Sequence, residues 1–420
     1  MRTNMEAAPI PPERSSRSIE ALRPLPRISV HGFYETETVH QTMSLAAADR
    51  RMAKVAMRMT RGTIEDAASL FSASPTPNLI VLETSSDPAT LLVRLKPLAE
   101  VCDASTRVLI VGHHNDVQLY RDLMRNGISD YIVAPVDMGD LVNTLAGIFV
   151  DPGAAPLGRT IAFIGAKGGV GASTLSHNVA WTMSNLFQAE TVLADMDMPF
   201  GTANINFDQD PPQGISEAVF SPERLDEMFL DRLLTKCSEH LSLLAAPSML
   251  DRPYDFSRTS FEPVIDVLQR NAPLVVLDVP HGWNEWTRSV LADADEIVVC
   301  ATPDLASLRN TKNLFEAIRK LRPNDKMPYL ILNQINMPKR PEIAPDDFCE
   351  PLTTSPLAVI SFDPALFGNA ANSGRMLQEV DPKGQIVDIL ADVSHVLAAR
   401  TPPKKARSGP FAKVLEKLGR

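Results

Sequence analysis

Residues 165–178 read GAKGGVGASTLSHN. A glycine-rich turn of this kind suits one chemistry. With no Cβ in the way, successive backbone N–H groups can crowd round phosphate oxygens. A helix that starts inside the turn adds the partial positive charge of its N-terminus. Lys167, Gly168, Gly169, Val170, Gly171, Ala172, Ser173 and Thr174 are the residues that would line a bound phosphate chain, and Ser173 stands where a loop hydroxyl would ligate Mg2+. The usual loop ends Gly-Lys-Ser/Thr. Here Ala172 holds the Lys position, and Ala166 holds the slot of the first glycine. The missing lysine removes a charged hydrogen bond to the β/γ-phosphates, worth about 1.5–3 kcal/mol, or roughly 10- to 150-fold in binding. A turn that only packs a helix on a sheet does not require Lys167, Gly168-Gly169, Gly171 and Ser173-Thr174 together.

Further polar residues end apolar runs downstream. Asp195 and Asp197 close TVLADMD (191–197), Asp278 closes LVVLD (274–278), Asn333 lies in LILNQIN, and Asp363-Pro364 follow LAVISF. An acid at a strand end says little alone and gains meaning beside the loop.

The elements that must hold these residues are short apolar runs alternating with helical stretches, the pattern of buried parallel strands. Residues 27–33, 54–59, 78–84, 107–113 and 130–135 give five such runs within 27–150, a small doubly wound α/β domain. Residues 151–159, DPGAAPLGR, read as a linker. A second α/β domain over 160–400 has candidate strands at 160–166, 191–197, 241–247, 274–280, 296–303, 329–336 and 357–363, with helices expected at 172–187, 305–321 and 385–399. Residues 1–26, rich in Pro, Arg and Ser, read as a disordered tail. Residues 401–420 carry six basic residues against Glu416, with Phe411, Val414, Leu415 and Leu418 on one helical face. That basic amphipathic tail suits an anionic membrane surface or an acidic partner, and with only two turns after Gly409-Pro410 it suits a solvated tail equally.

Composition bounds the function. The 420 residues carry a net charge of −10, which argues against a general nucleic-acid binder. Cys102, Cys237, Cys300 and Cys349 form no CxxC pair and read as reduced, buried thiols. No run approaches the roughly 18 apolar residues needed to span a membrane, and the first residues lack a secretory core, so a cytoplasmic location is expected. His113 and His114 are adjacent, which points them apart on a strand and disfavours chelation. Trp181, Trp283 and Trp286 suit a core or an interface better than a base-stacking platform.

KGGVG followed by a small residue and Ser-Thr resembles the deviant Walker loop of the MinD/ParA superfamily. The resemblance implies a mostly parallel P-loop NTPase fold, ATP and Mg2+ as cofactors, and a homodimer in which Lys167 reaches the partner's phosphates. It also implies that Asp197, in a switch-like segment, positions the attacking water and lies at the metal. Asp278 would hold Mg2+ with Ser173, Asn333 would read the adenine edge, and Asp363 and Pro364 would flank the base. The loop without its second Lys, the segment DMDMPFGTANINFD and the late segment FDPALFGNAANSGRMLQEVDP together look like the CpaE/TadZ family of Flp/Tad pilus-assembly ATPases. That family implies a cytoplasmic dimer that helps place the pilus machinery, often at the inner face of a cell pole.

The first domain is similar to a response-regulator receiver in strand count and flavodoxin-like in class. Glu83 stands near the phosphoacceptor slot and Ala134-Pro135 replace the expected Lys, so an atypical receiver that docks partners or dimerises is expected. Three functions are in play: a slowly hydrolysing ATP switch, a non-hydrolysing scaffold favoured by Ala172, and a DNA-bound partition protein disfavoured by the charge.

Overall fold

The computed structural model describes residues 24–149, 157–250 and 253–400. The expected basic helix in 401–420 lies outside them, as does most of the expected tail and linker. At the margins the chain is more ordered than those expectations. Leu25 is buried, and its N–H donates to the Arg51 carbonyl at 2.8 Å. Gly158 bonds the Gln269 carbonyl, and Arg159 already opens a strand. An apolar or pairing residue next to a strand gains burial or a ladder bond, which overrides its loop-like neighbours.

The chain divides into two compact units, Met1–Ala154 with Leu321–Lys326, and Ala155–Lys320 with Met327–Arg420. In the first, β1 (Ile28–Tyr34), β2 (Val55–Arg61), β3 (Leu79–Thr84), β4 (Arg107–Gly112) and β5 (Asp130–Val133) form a parallel sheet in the order β2-β1-β3-β4-β5. This is the flavodoxin-like strand order. Leu79 and Val81 face one apolar cluster while Ile80 and Leu82 face the other. Burial on both faces explains the unbroken apolar run of β3.

The second unit holds β6 (Arg159–Gly165), β7 (Thr191–Asp195), β8 (Thr235–Lys236), β9 (Leu241–Leu244), β10 (Leu274–Val279), β11 (Glu296–Ala301), β12 (Tyr329–Ile335) and β13 (Ala358–Ser361). Their order is β13-β12-β11-β6-β10-β7-β9-β8, parallel except for the β8–β9 pair. The two-residue β8 is too short to leave a periodic signal in the sequence. Helices Ala172–Phe187 and Leu305–Leu321 match the expected bounds, and Gln385–Leu397 ends two residues early. Ile161 and Phe163 pack under one face of the sheet, and Ala162 and Ile164 under the other. Strand β6 lies between β11 and β10, and β10 lies between β6 and β7. The chain order therefore reverses beside β6, and the carboxyl ends of β6, β10 and β7 stand side by side, where open α/β sheets bind ligands.

Two expectations need adjustment. Cys300 and Cys349 are buried, but Cys102 and Cys237 are only half-buried, and all four are free. Trp286 is buried and Trp181 packs at the edge of the core, whereas Trp283 is 45% exposed on the loop after β10.

Candidate functional site

Strand β6 ends at Gly165, and the Ala166 N–H donates to the Cys300 carbonyl on β11 at 2.8 Å. The chain then turns through Gly169 (φ 80°) and Gly171 (φ 85°) into the helix Ala172–Phe187. Gly171 is required twice over. Its φ suits glycine, and a Cβ there would lie 2.6 Å from Asn333 Nδ2.

Four side chains tie the loop's carbonyls down. His281 Nδ1 holds Gly165 O at 2.9 Å, Asn310 Nδ2 holds Ala166 O at 2.9 Å, Gln334 Nε2 holds Gly169 O at 3.0 Å, and Asn333 Nδ2 holds Val170 O at 2.9 Å. The helix opens with no side-chain cap. Its first-turn N–H groups, at Ala172, Ser173 and Thr174, have no intrahelical acceptor. A loop with its carbonyls bonded from outside and its helix N–H groups uncommitted fits an anion.

The acids stand beside it. Asp195 and Asp278 are register partners across β7 and β10, and both are buried. Ligand atoms of His177, Asp195 and Asp278 lie within 4.8 Å of one another. Asn206 Nδ2 donates to His177 Nδ1 at 2.9 Å, so the ring proton sits on Nε2, which donates to Asp278 Oδ2 at 3.1 Å. Asp195 accepts the N–H groups of Asp197 and Ala203, both at 3.1 Å. Burial, then the charge of Asp278, pushes the Asp195 carboxyl up to about 7, against the pull of His177. Two buried carboxylates with one unsettled charge fit a divalent cation, and with a hydroxyl they are the hard oxygen donors Mg2+ takes.

The acid whose ligand atoms group with those of Asp278 is Asp195, and the expected Asp197 stands beside it. Strand β7 stops at Asp195, which keeps that side chain inside the sheet edge. Asp197 lies two residues on in a turn, half-buried, accepting the Phe200 N–H at 3.2 Å. Burial raises its carboxyl above the usual range, with Asp278 adding to the shift.

Lys167 Nζ is 2.7 Å from Asp304 Oδ2. Burial opposes ionisation of Asp304, yet bonds from Lys167, Thr302 and the Ser307 N–H hold its carboxyl at about 2. Asn333 uses Nδ2 on the loop and Oδ1 on the Gln334 N–H. Asp363 caps the helix Pro364–Asn372, accepting the Leu366 N–H at 2.9 Å. That helix supplies Phe367 and Ala370 to a small cavity shared with Thr174, Asn206 and Arg375.

In the first unit, Glu83 is buried at the end of β3. It accepts the N–H groups of Glu35 at 2.7 Å and Thr36 at 2.8 Å, the Thr36 hydroxyl at 2.6 Å, and His113 Nε2 at 3.1 Å. Its carboxylate is fully bonded.

His177, His281, Asp304 and Asn310 escaped the sequence reading. His177 stands four residues after Ser173, on the same helical face, which is the one signal that marked it. The others lie on loops or a helix turn whose approach to Gly165–Gly171 only the fold brings about.

The family described as an AAA domain matches residues 158–328. The septum site-determining protein MinD of Synechocystis is 25% identical over 155 residues, covering 37% of this chain and 57% of its own length. The chain spans about half the length of the first curated relatives it matches. A ParA family ATPase from Chlorobium tepidum shares the fold at TM-score 0.50, with 23% identity over 56% of this chain and 98% of its own. The pilus assembly protein CpaE of Caulobacter crescentus is 36% identical, covering 31% of this chain and 98% of the solved chain, at TM-score 0.30. With a mostly parallel P-loop sheet, the loop at its switch point and these relatives, the chain belongs to the superfamily of CpaE, MinD and ParA.

Proposed function

We propose that the second unit binds Mg·ATP and hydrolyses it slowly, as a homodimeric switch in assembly of a Flp/Tad-type pilus. The carrying observation is the conjunction at the switch point: a loop with its carbonyls tied outward, flanked by the buried pair Asp195–Asp278 and by Asp197. Residues 167–174 hold the phosphates. Asp278, Ser173 and Asp195 hold Mg2+, which neutralises phosphate charge, and His177 orients Asp278 by its hydrogen bond. Asp197, with a raised affinity for protons, holds the attacking water. Asn333 braces the loop, and the base lies toward Asp363, Pro364 and the Phe367 cavity. What supports the pilus setting is the resemblance of the loop and of the segments DMDMPFGTANINFD and FDPALFGNAANSGRMLQEVDP to the CpaE/TadZ family, with the 36% identity to CpaE over 31% of this chain.

Within this reading the first unit is a docking module. Its saturated Glu83 offers no acceptor for a phosphoryl group. Among the described residues no helix is long and apolar enough to cross a membrane. A position at the inner face of a cell pole would rest on partners or on a peripheral contact of the basic residues 401–420.

Phosphate release by the purified protein with Mg·ATP tests the assignment. Asp197→Ala is expected to abolish turnover while keeping ATP binding. Turnover unchanged by that substitution removes the catalytic assignment. Ala172 favours a second reading, a scaffold locked by bound nucleotide, and tight ATP binding without phosphate release by the wild type selects it.

A further inference from the structure

His177 is wholly buried on the helix Ala172–Phe187, and both of its ring nitrogens are engaged. Nε2 meets Asp278 Oδ2 at 3.1 Å, and Nδ1 meets Asn206 Nδ2 at 2.9 Å. A neutral imidazole has one donor and one acceptor nitrogen, and an ionised carboxylate only accepts. The neutral ring therefore serves Asp278 only with its proton on Nε2, and that tautomer needs a donor at Nδ1. Among the described residues the donor is the amide of Asn206. Phe207 packs beside the ring, with centroids 5.9 Å apart, and bulk water does not reach it.

This chain of bonds gives Asp278 a fixed direction. Oδ2 accepts from the ring, and Oδ1 carries no hydrogen bond among the described residues, which leaves it for a cation. Asn206 closes the short helix Ala203–Asn206, in the segment that follows β7. The same helix reaches the other acid, because the Ala203 N–H donates to Asp195 Oδ2 at 3.1 Å. Asp197 lies at the start of that segment. The stretch 197–206 therefore bonds Asp195 directly, holds Asp278 through His177, and carries Asp197.

We propose that Asn206 is a positioning residue of the metal site, which holds His177 in the Nε2–H tautomer and so keeps Asp278 aimed at the cation. The inference rests on the Mg·ATP reading above and adds to it the amide on which the ring depends. Without a donor at Nδ1 the ring is free to take its proton there. Nε2 then turns a lone pair toward Asp278, and the carboxylate loses the bond that fixes it. The amide belongs to the segment that carries Asp197. One piece of backbone thus sets both the metal acid and the acid that holds the attacking water.

A double-mutant cycle on the full chain tests this. It is read by calorimetric titration with Mn·ATP and, in a chelator, with ATP alone. Asn206→Leu keeps the size of the side chain and removes the donor. It is expected to weaken Mn·ATP about 10- to 100-fold and to leave metal-free ATP binding unchanged. His177→Gln offers Asp278 an N–H donor with no tautomer to choose, and in that background Asn206→Leu is expected to cost less than about 3-fold. An equal cost of Asn206→Leu in both backgrounds, or an equal loss of metal-free ATP, shows that Asn206 only braces the segment and overturns the proposal. Nitrogen-15 NMR of the histidine rings reads the tautomer independently of the affinities, with the His177 signals identified by their absence in His177→Gln. The Nε2–H form is expected in the wild type and is expected to be lost in Asn206→Leu. A wild-type ring protonated on Nδ1 alone, or a tautomer unmoved by Asn206→Leu, overturns the proposal. A wild type that binds neither Mn·ATP nor ATP overturns the nucleotide reading and the proposal with it. Wild-type binding of Mn·ATP unaltered by Asn206→Leu overturns the proposal alone.

Discussion

At Asp195 the sheet holds a carboxyl where water cannot reach it. Burial, then the charge of Asp278, lifts its pKa from the ordinary 3.8 to about 7. A folded-state value above the unfolded one means that folding takes up a proton. The stability from this group is full below about pH 4 and is lost as pH rises through about 7. Integrated over that window, the shift from 3.8 to about 7 corresponds to about 4 kcal/mol as an upper bound. Without divalent cations, the second unit is therefore expected to be less stable to urea at pH 8 than at pH 5.5. A cation held between Asp195 and Asp278 removes the need for that proton. Mg·ATP is expected to raise the melting temperature more at pH 8 than at pH 5.5, and Asp195→Asn is expected to flatten the difference. Equal gains at both pH values in the wild type show that the metal does not engage Asp195.

At the scale of elements, the sequence was most informative where burial is two-sided. Strands such as β3 and β10 are apolar on both faces and announced themselves as unbroken runs. The glycine turn was legible because φ values near +80° leave few residue choices. Three things were not legible. The two-residue β8 has no period. The partners of the loop's carbonyls, His281, Asn310, Asn333 and Gln334, come from three segments more than 100 positions away. The choice between Asp195 and Asp197 depends on where β7 stops, which residue spacing alone does not decide. In the first unit, Glu83 shows what an element end can hide. In the sequence it is an acid near an acceptor slot, but in the fold its carboxylate gathers β1, the turn at Thr36 and His113 after β4. Glu83→Ala leaves the N–H groups of Glu35 and Thr36 without their acceptor and is expected to cost about 2–4 kcal/mol of stability. Denaturant unfolding reads the cost, and hydrogen exchange should localise the loosening to residues 35–36. A change below about 0.5 kcal/mol means that water replaces the carboxylate there, and that Glu83 does not hold the β1 turn.

At the scale of the whole molecule the question is what Lys167 does when a second copy is present. In the single chain its ammonium rests on Asp304 at 2.7 Å, with the two side chains 37% and 29% exposed. An ion pair that open to solvent contributes at most about 1 kcal/mol. In the proposed dimer a partner's bound triphosphate would present several negative charges and would displace Asp304 at little cost. The resting contact then serves to keep Lys167 ordered rather than to lock it. Two consequences separate this from a dimer built on apolar contact alone. The solution mass is expected to double in Mg·ATP for the wild type and to stay monomeric for Lys167→Ala at the same concentration. Asp304→Asn removes the competitor and is expected to shift the dimerisation midpoint by no more than about 5-fold toward lower protein concentration, in line with the weak pair. Light scattering across a concentration series measures all three. A Lys167→Ala protein that still doubles in mass with Mg·ATP places the dimer contact elsewhere, and Lys167 then acts on its own subunit's phosphates.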